Sequence, residues 1–462
     1  MASAHTTEIE LVRYPQPAPS PEADLPSQGE DGVFSLPPTD GGKDAWLLLF
    51  SCFMLEGIIW GFGSSYGIFQ EYYSTHEPFA GSSNIAVGIM YIWIIPMFVL
   101  LKIYPRLRIW AAPVGLTIMC LALGLGSLAT NVTHLIISQG IMYAVGGGLA
   151  WTPILFYIEE WWVLRRGFAY GATMAGLGLS GAIMPIVLRW LLDSYGFRTT
   201  LRVCALSVVA LNLPVLFFFK PRLPLSQTTQ FREFDMSFWT CSNFLIFQSG
   251  NILQGLGYFL PAIYLPSFAR SLGASNLQST ATIILLNGSA CIGSFCMGAA
   301  VDRFAVVNCI GITTLGSAVT VFLLWGLSTS LASLYVFCLL YGAFAGSNSS
   351  SWSAIMRDTK EKRRGADTGK QAEVQAGTPL EFPEQLDTAS ARTVERMIFA
   401  CLSAGKGVAN LCSGPLSEAL LRAGSWRAGF AYGSGYGALV AFTGATALLS
   451  GWSYAAKKIG WF

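Results

Sequence analysis

Along most of the chain, apolar stretches of about 20 residues alternate with short polar breaks, the length an α-helix needs to cross a bilayer core of about 30 Å. Twelve such runs fall near residues 45–68, 85–104, 111–130, 134–158, 167–190, 200–219, 238–262, 278–300, 306–327, 331–356, 397–420 and 429–450. The second is the shortest and is interrupted by polar Tyr and Trp. Backbone N–H and C=O groups find no water in lipid, so each run predicts a helix.

The runs repeat in the same order. Ala175-Gly176-Leu177-Gly178 returns as Ala404-Gly405-Lys406-Gly407, and Phe197-Arg198 as Trp426-Arg427, at a shift of 229. Gly61-Phe62-Gly63 answers to Gly255-Leu256-Gly257 at a shift of 194, and Tyr143 to Tyr341 at a shift of 198. The pattern predicts an all-α membrane protein of twelve transmembrane helices, folded as two pseudo-symmetric six-helix bundles. Parallel repeats of this kind place a solute site between the halves, near the midplane, among the first, fourth, seventh, tenth and eleventh helices. Glycines inside the runs, such as Gly146-Gly147-Gly148, Gly176 and Gly178, predict close approach of neighbouring helices.

Charge sets the orientation. With the amino terminus inside, twenty-one Lys and Arg fall on inner segments and six on outer ones, and Lys406 lies mid-membrane. The excess predicts that both termini are cytosolic. The expected organisation is a disordered cytosolic tail over 1–43, bundles over 44–219 and 238–450, a linker over 220–237 and a second tail over 451–462. The Pro-rich acidic start lacks the basic end and apolar core of a signal peptide. Residues 357–396 are charged and turn-rich, and read as a disordered cytosolic loop.

Composition agrees: 53% of residues are apolar and 12% charged, against about 25% charged in soluble chains. All ten cysteines lie in or beside apolar runs, so they read as packing residues without a disulfide framework. The net charge of +2 gives no sign of a nucleic-acid partner. The histidines His5, His76 and His134 have no metal-site spacing. Gly365-Ala366-Asp367-Thr368-Gly369-Lys370 is one residue short of a phosphate loop and is followed by Gln371. Neither an enzyme nor a cofactor is implied, and a carrier of this kind would run on a solute or ion gradient. The expected partners are a small-molecule solute, the lipid bilayer and protons, with the chain a monomer.

Charge inside the membrane is costly, so each case is a functional candidate. Lys406 lies about ten residues from either end of its helix, with Ser403, Asn410, Ser413 and Ser417 at helical spacing on one face. A buried ammonium there receives an anionic group or, equally, bonds to carbonyls of a neighbouring helix. Glu56 sits near the middle of the first helix, beside Trp60 and Ser64. It is either a site for a transported proton or a fixed partner of Lys406. Further candidates for the solute site are Asn251, Gln254 and Tyr258 on the seventh helix, Tyr143 and Trp151 on the fourth, and Asn348 and Trp352 on the tenth. Polar contacts of this kind also serve as interhelical glue. At the cytosolic edge, Glu159, Glu160, Arg165, Arg166, Asp302 and Arg303 are candidates for ion pairs that close one access state, with an ordinary solvated face as the alternative.

Several motifs carry a family resemblance. Asp40-Gly41-Gly42-Lys43-Asp44-Ala45-Trp46 before the first helix, then Trp60-Gly61-Phe62 and Tyr66-Gly67-Ile68-Phe69-Gln70, resemble the monocarboxylate transporter family, a branch of the major facilitator superfamily. Glu160-Trp161-Trp162-Val163-Leu164-Arg165-Arg166-Gly167 through Gly171 is similar to that family's signature between helices four and five. Tyr195 to Thr200 and Ser413 to Glu418 look like its fungal members, and the resemblance spans roughly residues 40–460. It implies twelve helices, alternating access and a small organic solute.

The resemblance has two departures. Proton-coupled lactate carriers of the animal branch place a lysine in helix one and an Asp/Arg pair in helix eight, where this chain has Ser64, Ala290 and Ser294. Relatives also run from an Ala-Asp-Thr-Gly motif straight into helix eleven. Here Ala366-Asp367-Thr368-Gly369 is followed by residues 370–396, an expected insertion that leaves the carrier core untouched. The leading expectation is a symporter-type or facilitative carrier of a carboxylate or other anion in the plasma membrane. The alternatives are an exporter of a neutral secondary metabolite or vitamin-type solute, and a transporter-like receptor.

Overall fold

The computed structural model describes residues 36–79, 94–223, 237–362, 384–422, 424 and 428–461. Among them the membrane part consists of twelve helices. α1 spans Lys43–Phe69, with a hitch at Ser65. α2 spans Ile94–Ile103, α3 Pro105–Gly126 and α4 Val132–Trp161. One continuous helical stretch, Arg166–Leu216, bends at Gly196 (φ 71°, ψ 173°) into α5 (166–195) and α6 (197–216). Glycine adopts this positive φ without a Cβ clash. The second half comprises α7 (Ser242–Ser271), α8 (Asn276–Val301), α9 (Val306–Trp325), α10 (Leu331–Lys362), α11 (Glu384–Arg422) and α12 (Gly437–Ser450). A short amphipathic α13 (Trp452–Ile459) follows.

Among the described residues, eight stretches, with α5 and α6 taken together as Arg166–Leu216, are long and apolar enough to cross a membrane by length and composition. Leu206, Ile292 and Leu315 stand exposed on their outer faces, as lipid-facing residues do. Part of the second apolar run (85–93), most of the first tail (1–35) and most of the linker (224–236) lie outside the described residues.

The structure departs from the expected disorder in two places. Residues 37–42 pack against the end of α4: Asp40 accepts from the backbone N–H groups of Val163 (3.0 Å), Leu164 (2.9 Å) and Arg165 (2.8 Å). The expected loop 357–396 is shorter at both ends. α10 continues to Lys362 and α11 begins at Glu384, and only 363–383 lies outside the described residues. Charge suggests a loop there, but Glu395 and Arg396 are buried and paired, so their charge is compatible with a packed helix. The C-terminal end of the expected insertion is therefore part of the carrier core.

Three further helices lose regular geometry, α9 in its π-helical end Thr320–Trp325 and α4 and α10 near corresponding points of the two halves. α4 contains a π-helical stretch, Ile136–Met142, and is interrupted again at Thr152, just before Pro153; proline has no N–H to bond one turn back. α10 passes through a 3-10 segment, Asn348–Ser351. Helices broken at the midplane are where carriers build their sites.

Candidate solute site

Between the halves lies a cavity of about 490 Å³. Glu56 and Trp60 from α1, Trp151 from α4 and Met174 and Leu177 from α5 line one side. Tyr258 and Phe259 from α7, Gly346, Ser349 and Trp352 from α10, and Ser403 and Lys406 from α11 line the other. Of the residues expected in the site, the structure brings together Lys406, Ser403, Tyr258, Trp151, Trp352 and Glu56.

Lys406 is 4% exposed. Its Nζ donates to Ser349 Oγ at 2.6 Å and lies 4.8 Å from the centroid of the Tyr258 ring and 5.6 Å from that of Trp352. Among the described residues no carboxylate pairs with it, so the expected fixed partnership with Glu56 is not formed. An ammonium has three N–H donors, and here an aromatic wall partly offsets its lost hydration. Glu56, 3% exposed, accepts a hydrogen bond from Trp151 Nε1. Across the pseudo-symmetry, Trp352 Nε1 donates to Asn251 Oδ1 at 3.2 Å. Both halves thus join an indole on a broken helix to an acceptor on their first helix. Only the first half makes that acceptor a carboxyl group.

Six expected site residues stand elsewhere. Asn251 also donates from Nδ2 to Leu402 O (2.7 Å), and Gln254 from Nε2 to Ala345 O (3.1 Å). Their amides tie α7 to α11 and α10 as interhelical glue. Gln254 and Asn348 line a separate space of about 260 Å³ inside the second half. Tyr143 is buried, with its hydroxyl donating to Ile59 O (2.9 Å). Ser64 is exposed and bonded to Gly61 O (2.9 Å). Asn410 sits a turn beyond Lys406, outside the cavity lining. The lining residues that sequence reasoning misses are chiefly apolar (Met174, Leu177, Phe259), with no polar signal to mark them, together with Ser349, one serine among several in its segment.

Below the cavity, α11 crosses two further layers. Phe399 packs against Trp151 (5.8 Å between centroids), Tyr170 (5.1 Å) and Trp352 (5.2 Å). One turn further on, Arg396 pairs with Glu159 (2.8 Å), and Glu395 with Arg166 (2.8 Å) and Lys360 (3.1 Å). Asp302 accepts from the N–H groups of Gly167 (2.7 Å) and Phe168 (2.8 Å), and so caps α5 from the other half. Glu159, Arg166 and Asp302 therefore bridge the halves. Glu160, Arg165 and Arg303 do not. Glu160 is turned away from Glu159 by one helical step and accepts from Arg222 N (3.0 Å) and Leu223 N (3.3 Å) at the start of the linker. The Arg165 and Arg303 side chains are exposed, because both lie in the turns beyond the helix ends. The end of the molecule that carries the linker is closed.

Residues 45–371 match the family described as the Major Facilitator Superfamily. The chain belongs to this superfamily. It is a transporter rather than an enzyme, and a multi-pass integral membrane protein that carries small-molecule solutes across a bilayer. The solved structure of the superfamily transporter FucP in the outward conformation has the same fold, with a TM-score of 0.60 at 13% identity over 90% of this chain and 97% of that one. A point mutant of the nucleoside transporter NupG gives 0.55 at 12% identity, over 89% and 99%. Among curated relatives, the chain is 29% identical to the MFS-type transporter pynF of Aspergillus niger, over 71% of this chain and 76% of that protein. It is 26% identical to the aspyridones efflux protein apdF of Emericella nidulans, over 68% and 64%. With the agnestins efflux protein AgnL12 of Paecilomyces divaricatus it shares 27%, over 75% and 81%.

Proposed function

We propose that the chain exports an aromatic, weakly acidic organic molecule of the secondary-metabolite class by alternating access, with both termini cytosolic and the plasma membrane as its site. The observation that carries the proposal is Lys406: a buried ammonium with no carboxylate partner among the described residues, facing an aromatic cavity. A buried charge calls for a counter-charge, and an anionic solute supplies one. The cavity lies between the halves and is lined by Trp60, Trp151, Tyr258, Phe259 and Trp352, an aromatic lining typical of sites for small organic ligands. Its indole and phenol walls favour a flat ring system. The efflux proteins for aspyridones and agnestins among its relatives support outward transport.

Glu56 is the proton site in this reading. A carboxyl group in the same cavity as the anion anchor can exchange the solute for a proton arriving from outside. The motifs resembling monocarboxylate transporters mark kinship in the scaffold, while Ser64, Ala290 and Ser294 leave out the apparatus of the lactate carriers. The test is efflux of a labelled panel of aromatic acids and their neutral amides from cells expressing the chain, at two external pH values, beside Lys406→Ala. Saturable efflux of acids, lost in the variant, is the expected result. Equal movement of the amides would discard the anion reading, and binding without flux would indicate a receptor.

A further inference from the structure

Lys406 has one hydrogen-bond partner among the described residues, the Ser349 hydroxyl at 2.6 Å. Ser349 belongs to the 3-10 segment Asn348–Ser351 that interrupts α10. Within it the backbone makes a tighter bond, Ser350 N to Ser347 O at 3.0 Å, of a type that holds a helix less firmly than the α pattern. Three side-chain hydrogen bonds anchor this part of α10. Gln254 bonds Ala345 O, just before the break, and Trp352, just after it, bonds Asn251. Both anchors come from α7. The third, from Lys406, comes from α11, and its two partners both line the cavity. Of the three it is the one a ligand can compete for directly.

We propose that Ser349 is a positioning residue: it holds Lys406 in the empty carrier, and an anionic solute displaces it, so that Ser349 sets the discrimination between anionic and neutral ligands and releases the α10 break on binding. The inference rests on Lys406 being the anion anchor. A carboxylate is a stronger acceptor for an ammonium than a hydroxyl, so exchange is favourable once the solute is seated. The hydroxyl is then free, and at the point where it is least regular α10 keeps only its two hydrogen bonds from α7, beside the packing of Phe399 on Trp352. Occupancy of the cavity is thereby passed to a helix that also carries Lys360, a member of the ion layer closing the linker end.

The test uses the purified full-length chain in lipid nanodiscs, titrated with 2-naphthoate and with 2-naphthamide, its neutral counterpart. Ser349→Ala removes the internal competitor. It is expected to bind naphthoate about 10-fold more tightly, the size of one hydrogen bond to a charged group, with naphthamide unchanged. Ser349→Thr, which keeps the hydroxyl, is expected to behave like the native chain and shows that the segment still folds. Spin labels at the exposed Arg165 and Arg303, one in each half, report the linker end. Naphthoate is expected to widen their separation in the native chain and to add little in Ser349→Ala. Unchanged or weaker naphthoate binding in Ser349→Ala, or an equal effect on naphthamide, overturns the inference while leaving the anion anchor standing. If Lys406→Met binds naphthoate as well as the native chain does, both readings fall together.

Discussion

At the scale of single residues, the two buried ionisable groups in the cavity, Lys406 and Glu56, carry the proposed chemistry. The position of each is legible in the sequence, because an ionisable residue near the middle of a twenty-residue apolar run is costly there. The role of the surrounding polar residues is not. Asn251 and Gln254 carry the same polarity as a ligand-binding residue, but their amides are taken up by carbonyls of other helices. Sequence spacing gives the face of a helix and not the atom that faces it. Lys406→Ala is expected to weaken binding of an aromatic acid by roughly 10- to 150-fold, the worth of about 1.5–3 kcal/mol for a hydrogen bond to a charged group, and to leave the amide analogue within about twofold. Paired titrations read this directly. Glu56→Gln keeps the acceptor for Trp151 while removing the titratable group. Native efflux is expected to speed up as the external pH falls, and Glu56→Gln to run at a rate independent of external pH. A preserved pH response in that variant would move the proton site elsewhere.

At the scale of elements, twelve helices follow from run length, while their breaks do not. Pro153 marks the irregularity in α4, but the 3-10 turn in α10 comes from a Gly-Ser-Asn-Ser-Ser-Ser stretch that looks merely polar. Glycines in apolar runs point to close helix approach, and α5 against α8 shows what that means. A Cβ on Gly171 would sit 2.6 Å from Gly298 Cα, and one on Gly298 2.7 Å from Gly167 O. Neither neighbour can yield, because both contacts are with backbone. These glycines lie at the closed end, where α5 and α8 must part for the carrier to open. Gly171→Ala is therefore expected to disfavour the closed state specifically and not unfold the chain. In spin-label distance measurements between Arg165 and Arg303, the population open at the linker end should rise without ligand. A loss of folded protein, with no shift among what remains, would show the contact to be needed for assembly alone.

At the scale of the whole molecule, the two halves are held together at the linker end by a layer that the sequence half reveals. Glu159, Arg166 and Asp302 are visible as charges at helix ends, but the partners of the first two, Arg396 and Glu395, lie in a stretch whose composition suggests a loose insertion. The turn-rich residues around 370–383 extend that impression too far. The contrary signal is the alternation of charge with Val394, Met397 and Ile398, which are buried. A chain shortened by residues 370–396 would lose both partners, so the insertion cannot be excised as a unit without opening the layer. The cleaner test exchanges charges in place. Arg396→Ala leaves Glu159 buried without its partner, a loss of about 3–5 kcal/mol in the closed state, which would shift the closed-to-open ratio by roughly 10²- to 10⁴-fold. Glu159→Arg alone sets two cations against each other and should do the same. Combined as Glu159→Arg with Arg396→Glu, the pair is restored in reverse and closure should return. The readout is reaction of Ser403→Cys, placed in the cavity, with a membrane-impermeant maleimide applied from the cytosolic side, in a background lacking the exposed Cys296 and Cys412. Labelling should be slow in the native arrangement, fast in each single variant and slow again in the swap. If the swap labels as fast as the singles, the layer holds the halves by its fit to other neighbours, such as Phe156 beneath the Arg396 guanidinium at 4.8 Å, and the pairing of charge is incidental to closure.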